Sequence, residues 1–305
     1  AHDGSEVWQQ PFPDDPALNP PAASDGKVYV ATTGHQQTFL WAFDANTGEP
    51  VFQNTFAGQW PHVLSPTVHA GRVYTNGGYY GGGVYAYDAT GGDLRWSVSS
   101  GDDDMTTPAV DESRAYHYDG AALVTYDTET GARLSSIPDP YSPEFGYSYN
   151  GAPMLGRTDS VTAFSGGSYG GTATRPLVNF SVANNLARWR TTRTYATQPA
   201  TANGIVYAGS NTPKSFDAID EATGQVLWSW VPPPSDLRFH RNVVVTDNLV
   251  FVSTDRAIYA LDLTTRKPVW SHPTPGMMAI SGGGTLYIVE GAIQTTGRLI
   301  AISLK

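Results

Sequence analysis

Two histidines, a tyrosine and an arginine carry the strongest chemistry this sequence offers. His62, Tyr149, His240 and Arg241 each stand at the entry to a short run of small or β-branched residues, as in "HVLSPTVHAG", "YNGAPM" and "HRNVVV". A guanidinium can neutralise a carboxylate beside a proton being removed. An imidazole or phenol can take that proton, and a phenol can give one to the leaving oxygen. These are the parts for eliminative cleavage of a uronate-containing polysaccharide. Around them stand candidates for ligand binding: Trp60, Tyr79, Tyr80, Asp104, Tyr147, Tyr169, Tyr195 and Arg238. Aromatic rings stack on the C–H faces of sugars, and Tyr and Trp also anchor protein interfaces. Tyr79 and Tyr80 lie inside "GGYYGGG", where the glycines cannot build a core around them. His35, His69 and His117 are too dispersed to suggest a metal site, and no metal site is assigned.

Residues so far apart in sequence need a scaffold that repeats. "AYDATGGDLRW" (Ala86 to Trp96) recurs as "AFDANTGEPVF", "TYDTETGARLS", "NFSVANNLARW", "AIDEATGQVLW" and "ALDLTTRKPVW", with a truncated copy "AIS" at Ala301. The copies follow one another at about 40 residues, the period of a propeller blade. Upstream of each lies a turn followed by a β-branched and aromatic run, such as "NGIVYAG", and before that a short run of small residues. Each repeat therefore reads as four strands, with the small-residue strand innermost. The Asp accepts hydrogen bonds from the turn, Thr-Gly supplies a residue that tolerates positive φ, and the Trp packs against the next blade.

The fold expected is all-β: a seven-bladed β-propeller of four-stranded blades in one domain. The blades fall near 17–58, 62–101, 104–140, 147–194, 197–233, 240–274 and 276–305. "AHDGSEVW" repeats the Gly-to-Trp spacing at Gly4 and Trp8, so residues 1–12 are expected to complete the last blade and close the ring. On this scaffold His62, Asp104, Tyr149, Tyr195 and Phe239 occupy one slot before the inner strand, and slots in a ring face one axis. The candidate residues are thus expected at one mouth of the channel.

Composition narrows the partners. The chain of 305 residues has 28 acidic against 18 basic side chains, a net charge of −10, and no basic run. Duplex nucleic acid and anionic membrane surfaces are disfavoured. With no cysteine there is no disulfide, thiolate metal site, Cys nucleophile or thioether-bound haem. No apolar run reaches the roughly 20 residues of a membrane span. "AHDGSE" suits the start of a processed chain, which favours a secreted, periplasmic or cell-surface protein, expected to be a monomer.

The Ala-x-Asp-x-x-Thr-Gly-x-x-x-Trp repeat resembles that of the quinoprotein-like (PQQ-like) β-propeller family. The likeness is closest at Ala218 to Trp228 and is degraded in the fourth copy, where Ser181 and Asn185 replace Asp and Gly. The resemblance implies a propeller; members include quinone-dependent alcohol dehydrogenases, an outer-membrane assembly lipoprotein and extracellular binding modules. The dehydrogenases are larger eight-bladed proteins with a Glu, Asn and Asp metal set beside the quinone, many with an adjacent Cys–Cys disulfide. Here the densest acidic run is "GDDDM", so a PQQ cofactor is disfavoured and none is predicted. A structural calcium ion is the one inorganic role left open. The reading taken is an extracytoplasmic binding module for a carbohydrate or a protein segment. The alternative is the polysaccharide lyase described above. Behind it stand a protein-assembly scaffold and a quinone-dependent dehydrogenase.

Overall fold

The computed structural model describes residues 7–12, 17–33, 38–57, 65–77, 83–99, 107–142, 152–157, 159–166, 175–290 and 298–304. The fold is that of a seven-bladed β-propeller: seven successive antiparallel sheets, with no helix among the described residues. In the fifth, Ala200–Ala202, Ile205–Asn211, Lys214–Asp220 and Val226–Trp230 lie side by side in chain order. The second to sixth sheets all have this four-strand order. The first adds a short strand, Ala17–Leu18, and the seventh (Met277–Ile280, Thr285–Glu290, Arg298–Ser303) has three strands among the described residues. The chain packs as two compact units, Ala1–Pro153 with Ser165–Gly171, and Met154–Phe164 with Thr172–Lys305.

The repeated motif builds the same corner in each unit. Its Asp accepts N–H bonds from the turn that follows: Asp88 Oδ1 from Thr90 and Gly91, both at 2.9 Å, and Asp127 Oδ1 from Glu129 at 3.1 Å and Thr130 at 2.8 Å. The glycine after the turn then takes a positive φ, and the aromatic of the preceding sheet lies against it. In the first unit Trp96 packs on Gly131 (φ +72°) and its indole N–H donates to the Thr128 carbonyl at 2.9 Å. In the second, Trp189 packs on Gly224 (φ +73°) and donates to the Glu221 carbonyl at 2.9 Å. Trp8 makes the same arrangement on Gly48 and the Ala45 carbonyl, again at 2.9 Å. It therefore fills, against the first sheet, the slot that an outer-strand Trp fills elsewhere. Residues 7–12 are not in a strand.

The degraded fourth copy is repaired locally. Asn185 takes the left-handed conformation at φ +51° at the slot that Gly48, Gly92, Gly131 and Gly224 fill in other copies, and Asn is among the residues that tolerate it. The missing Asp is replaced from the neighbouring hairpin. Asp159 accepts the Ser181 hydroxyl at 2.6 Å and the Ala183 N–H, and pairs with Arg188 at 2.9 Å.

These carboxylates tie stability to pH. Asp88 is held down at about 2 by the Arg95 guanidinium at 2.6 Å and by the N–H groups of Gly91 and Thr90. Asp44, Asp127 and Asp262 are lowered by the same kind of turn hydrogen bonding. A carboxyl whose folded pKa lies below its unfolded value stabilises the fold above the unfolded value, and that contribution is lost as pH falls through the folded one. Stability should therefore decline as pH falls from about 4 towards 2. Urea midpoints measured across that range should show a shallower decline for Asp88→Asn than for the parent.

Candidate functional site

Eight of the twelve candidate residues (Trp60, His62, Tyr79, Tyr80, Asp104, Tyr147, Tyr149 and Tyr169) lie outside the described residues. The other four, Tyr195, Arg238, His240 and Arg241, belong to the second unit. Three of them share one segment, the connection from the fifth sheet to the sixth and the start of the strand Phe239–Val245 that it enters.

That connection begins at Trp230, whose ring packs on Tyr259 (5.0 Å between centroids) and edge-on against Phe239 (6.2 Å). "VPPPSDLRF" follows, and its backbone is latched by two aspartates. Asp236 is 2% exposed, and its Oδ2 accepts hydroxyls from Thr254 and Tyr259, each at 2.8 Å. Burial and then Asp236 push the Tyr259 phenol up to about 12, so it stays a donor at ordinary pH. Lys214 donates its ammonium to the Asp236 carbonyl. Asp255 Oδ1 accepts the N–H groups of Leu237 at 2.9 Å and Arg238 at 3.2 Å. Burial raises the Asp255 carboxyl, but the bonds from Arg238 and Leu237 outweigh it and leave it below its ordinary value. Asn211 closes the end of the segment, accepting from Phe239 N–H at 2.7 Å and donating to its carbonyl at 3.1 Å.

A backbone fixed this firmly exposes side chains that burial would normally claim. Leu237 is 71% exposed and Val231 63%, and Arg238 is exposed beside them. Beyond Phe239 the inner strand bulges. Phe239 pairs with Thr254 and Val243 with Val252, so His240, Arg241 and Asn242 face a single partner residue. Arg241 is exposed at φ +70°. His240 is half-buried, and burial, then Arg241 and Arg238, hold its imidazole below the ordinary value. It is neutral near pH 7, and its Nε2 is buried without a hydrogen-bond partner. In this arrangement that nitrogen does not face solvent, where a substrate proton would have to arrive.

Tyr195 is not on a surface. It is 1% exposed and its hydroxyl donates to Asp217 at 3.0 Å, so it packs rather than offering a ring to a ligand. Phe239, in the matching slot, is also 1% exposed. The slot is thus a packing position in both blades where it is described, and the surface is made by the residues beside it. Leu237, Asp236 and Asp255 were not singled out by sequence. The available signal was a Leu-Arg pair after three prolines, a stiff segment ending in an apolar residue with no repeat partner. No group of three His, Asp or Glu that could hold a metal ion occurs among the described residues.

The family model described as "Outer membrane protein assembly factor BamB", a PQQ-like repeat model, matches residues 1–230. The chain belongs to that family. Among solved structures, BamB from Moraxella catarrhalis matches with a TM-score of 0.66 at 18% identity, over 90% of this chain and 81% of that one. A europium-containing methanol dehydrogenase matches with a TM-score of 0.65 at 13% identity, over 90% and 73%. At these identities the likeness is one of fold. Among sequence relatives, the tetrathionate hydrolase of Acidithiobacillus ferrooxidans is 25% identical over 335 aligned positions, covering 89% of this chain and 62% of that protein. The quinone alcohol dehydrogenase subunit of Acetobacter aceti is 31% identical over 121 positions, covering 37% of this chain and 16% of the subunit. The chain thus spans less than two thirds of either relative's length.

Proposed function

We propose that this chain is an extracytoplasmic recognition module that docks a segment of another protein on the loop 231–238. The observation that carries the reading is an exposed Leu237 on a backbone held by buried Asp236 and by Asp255. A rigid, solvated apolar side chain loses little conformational entropy on binding and gains by burial, the economy of an interface hot spot. Val231 is a second exposed apolar residue on the same loop, and Arg238, next to Leu237 in the chain, supplies a polar margin. The family description, an outer membrane protein assembly factor, supports a protein ligand and a site outside the cytoplasm.

Selection from a phage-displayed random peptide library tests this. Peptides enriched on the parent should lose about tenfold or more in affinity for Leu237→Ser, since burying a leucine contributes roughly 1.5–3 kcal/mol. The variant should melt with the parent, because Leu237 packs on little. Equal binding of the enriched peptides to both proteins would sink the proposal.

A further inference from the structure

Among the described residues, the last strand of each sheet has no strand on its far side. Such an edge offers N–H and C=O groups to any extended chain, and proteins blunt it with charges, prolines and bulges. Six of the seven edge strands carry a charge or a proline: Pro50 in the first sheet, then Arg95, Arg133, Arg188, Pro268 in the sixth and Arg298 in the seventh. The fifth, Val226–Trp230, reads "VLWSW" and has neither. A bulge near the start of the edge strand is common to the first six sheets, so it does not make up for the missing guard. In the fifth sheet it leaves Leu227 without a partner. From there the ladder is regular, with Trp228 opposite Ala218 and Trp230 opposite Phe216.

This edge is held straight from both faces. Side chains alternate along a strand, so Trp228 and Trp230 share one face. Trp228 lies 6.2 Å from both Tyr207 and Phe216, and Trp230 lies 5.0 Å from Tyr259. On the other face the Ser229 hydroxyl donates to Asp217 at 2.7 Å. Both indoles are nevertheless only partly buried, and Val226, Leu227 and Val231 are exposed. A strand already fixed in extended form gives up little entropy when another pairs with it. At Val231 the edge runs directly into the loop 231–238, and Pro232, which has no N–H, ends it.

We infer that an extended, uncharged segment of the partner protein pairs with Val226–Trp230 as a further strand of the fifth sheet, with apolar side chains at alternate positions beside Trp228 and Trp230. The inference rests on the segment-binding reading above and states how the segment is held. Backbone hydrogen bonds supply affinity in this mode, and alternate side chains supply selectivity. The size of the edge favours a segment over a second copy of the chain. Five residues span about 17 Å. A strip of that length and one strand's width is well short of the roughly 800 Å² per partner that a stable dimer buries.

A fluorescein-labelled peptide, Gly-Thr-Val-Thr-Val-Thr-Val-Gly, tests the proposal beside two forms methylated on the backbone nitrogens of the valines or of the threonines. Only alternate N–H groups of a paired strand face its neighbour. One methylated form should therefore lose about tenfold or more in affinity, and the other should bind like the parent peptide. Leu227→Arg gives the fifth edge the arginine that the second and fourth carry at the same place in the repeat, Arg95 and Arg188. The variant should melt with the parent and bind the peptide about tenfold more weakly. Bound peptide should also slow amide hydrogen exchange at Trp228–Trp230. If Leu227→Arg and both methylated forms bind as the parent does while Leu237→Ser weakens binding, the edge reading is wrong and docking on the loop stands. If Leu237→Ser changes nothing while Leu227→Arg and one methylated form lose affinity, the loop reading falls and the edge stands. Absence of binding by the unmethylated peptide overturns the proposal. So does dimerisation of the parent that Leu227→Arg abolishes with no peptide bound, which would make the occupant a second copy.

Discussion

Replacing Trp96 with alanine is expected to lower the unfolding free energy by about 3–5 kcal/mol, the range for removing a buried aromatic. Trp96 is 7% exposed, its ring lies 5.9 Å from Tyr74 and 6.5 Å from Tyr126, and its N–H bonds the Thr128 carbonyl. The substitution removes apolar contact between two sheets and orphans a buried carbonyl together. Gly131→Ala attacks the same contact from the other side. A Cβ there would lie 2.7 Å from the indole, and φ is +72°, so overpacking and backbone strain add. The two causes separate in a double mutant. With Trp96 absent, Gly131→Ala should keep only the backbone part of its cost, so the pair should be strongly non-additive. Urea midpoints for the two single variants and the double variant measure this. Simple additivity would mean that the ring and the glycine do not depend on one another.

That corner was legible because every partner in it lies within one repeat or at the same place in the next. Asp, Thr-Gly and Trp recur at fixed spacing, and the turn hydrogen bonds of Asp88 and Asp127 follow from that spacing. Trp8 was legible for the same reason, and it makes the bond that Trp96 and Trp189 make. Departures from the motif were visible as letters but not as solutions. Nothing near Ser181 says that Asp159 will supply its carboxylate from another hairpin, and Arg266 takes the glycine's place at φ +59°. The candidate site was legible only in part. Sequence placed Arg238, His240 and Arg241 at the entry to an inner strand, but alignment of slots could not say which side of the chain each would face. Tyr195 and Phe239 share a slot and both turn inward. What exposes Leu237 is a set of distant partners (Thr254, Tyr259, Asp255 and Asn211), each outside any local pattern.

Asp217→Ala should be as costly. Asp217 has no exposed surface. Its Oδ2 accepts Arg193 at 2.8 Å and the Tyr195 hydroxyl at 3.0 Å, and its Oδ1 accepts the Ser229 hydroxyl at 2.7 Å. Burial and the Asp217 charge push the Tyr195 phenol far above its ordinary value, so it remains a donor and needs an acceptor. Removing the carboxylate strands a buried phenol and a hydroxyl, and breaking a buried charged cluster costs about 3–5 kcal/mol. Arg193 contributes less to that cost, since its side chain is 38% exposed and can turn to water. Tyr195→Phe should therefore recover part of the loss when combined with Asp217→Ala, whereas Arg193→Ala should recover little. Urea midpoints for Asp217→Ala with and without Tyr195→Phe measure this, and no recovery in the double variant would show that the stranded phenol is not the source of the cost.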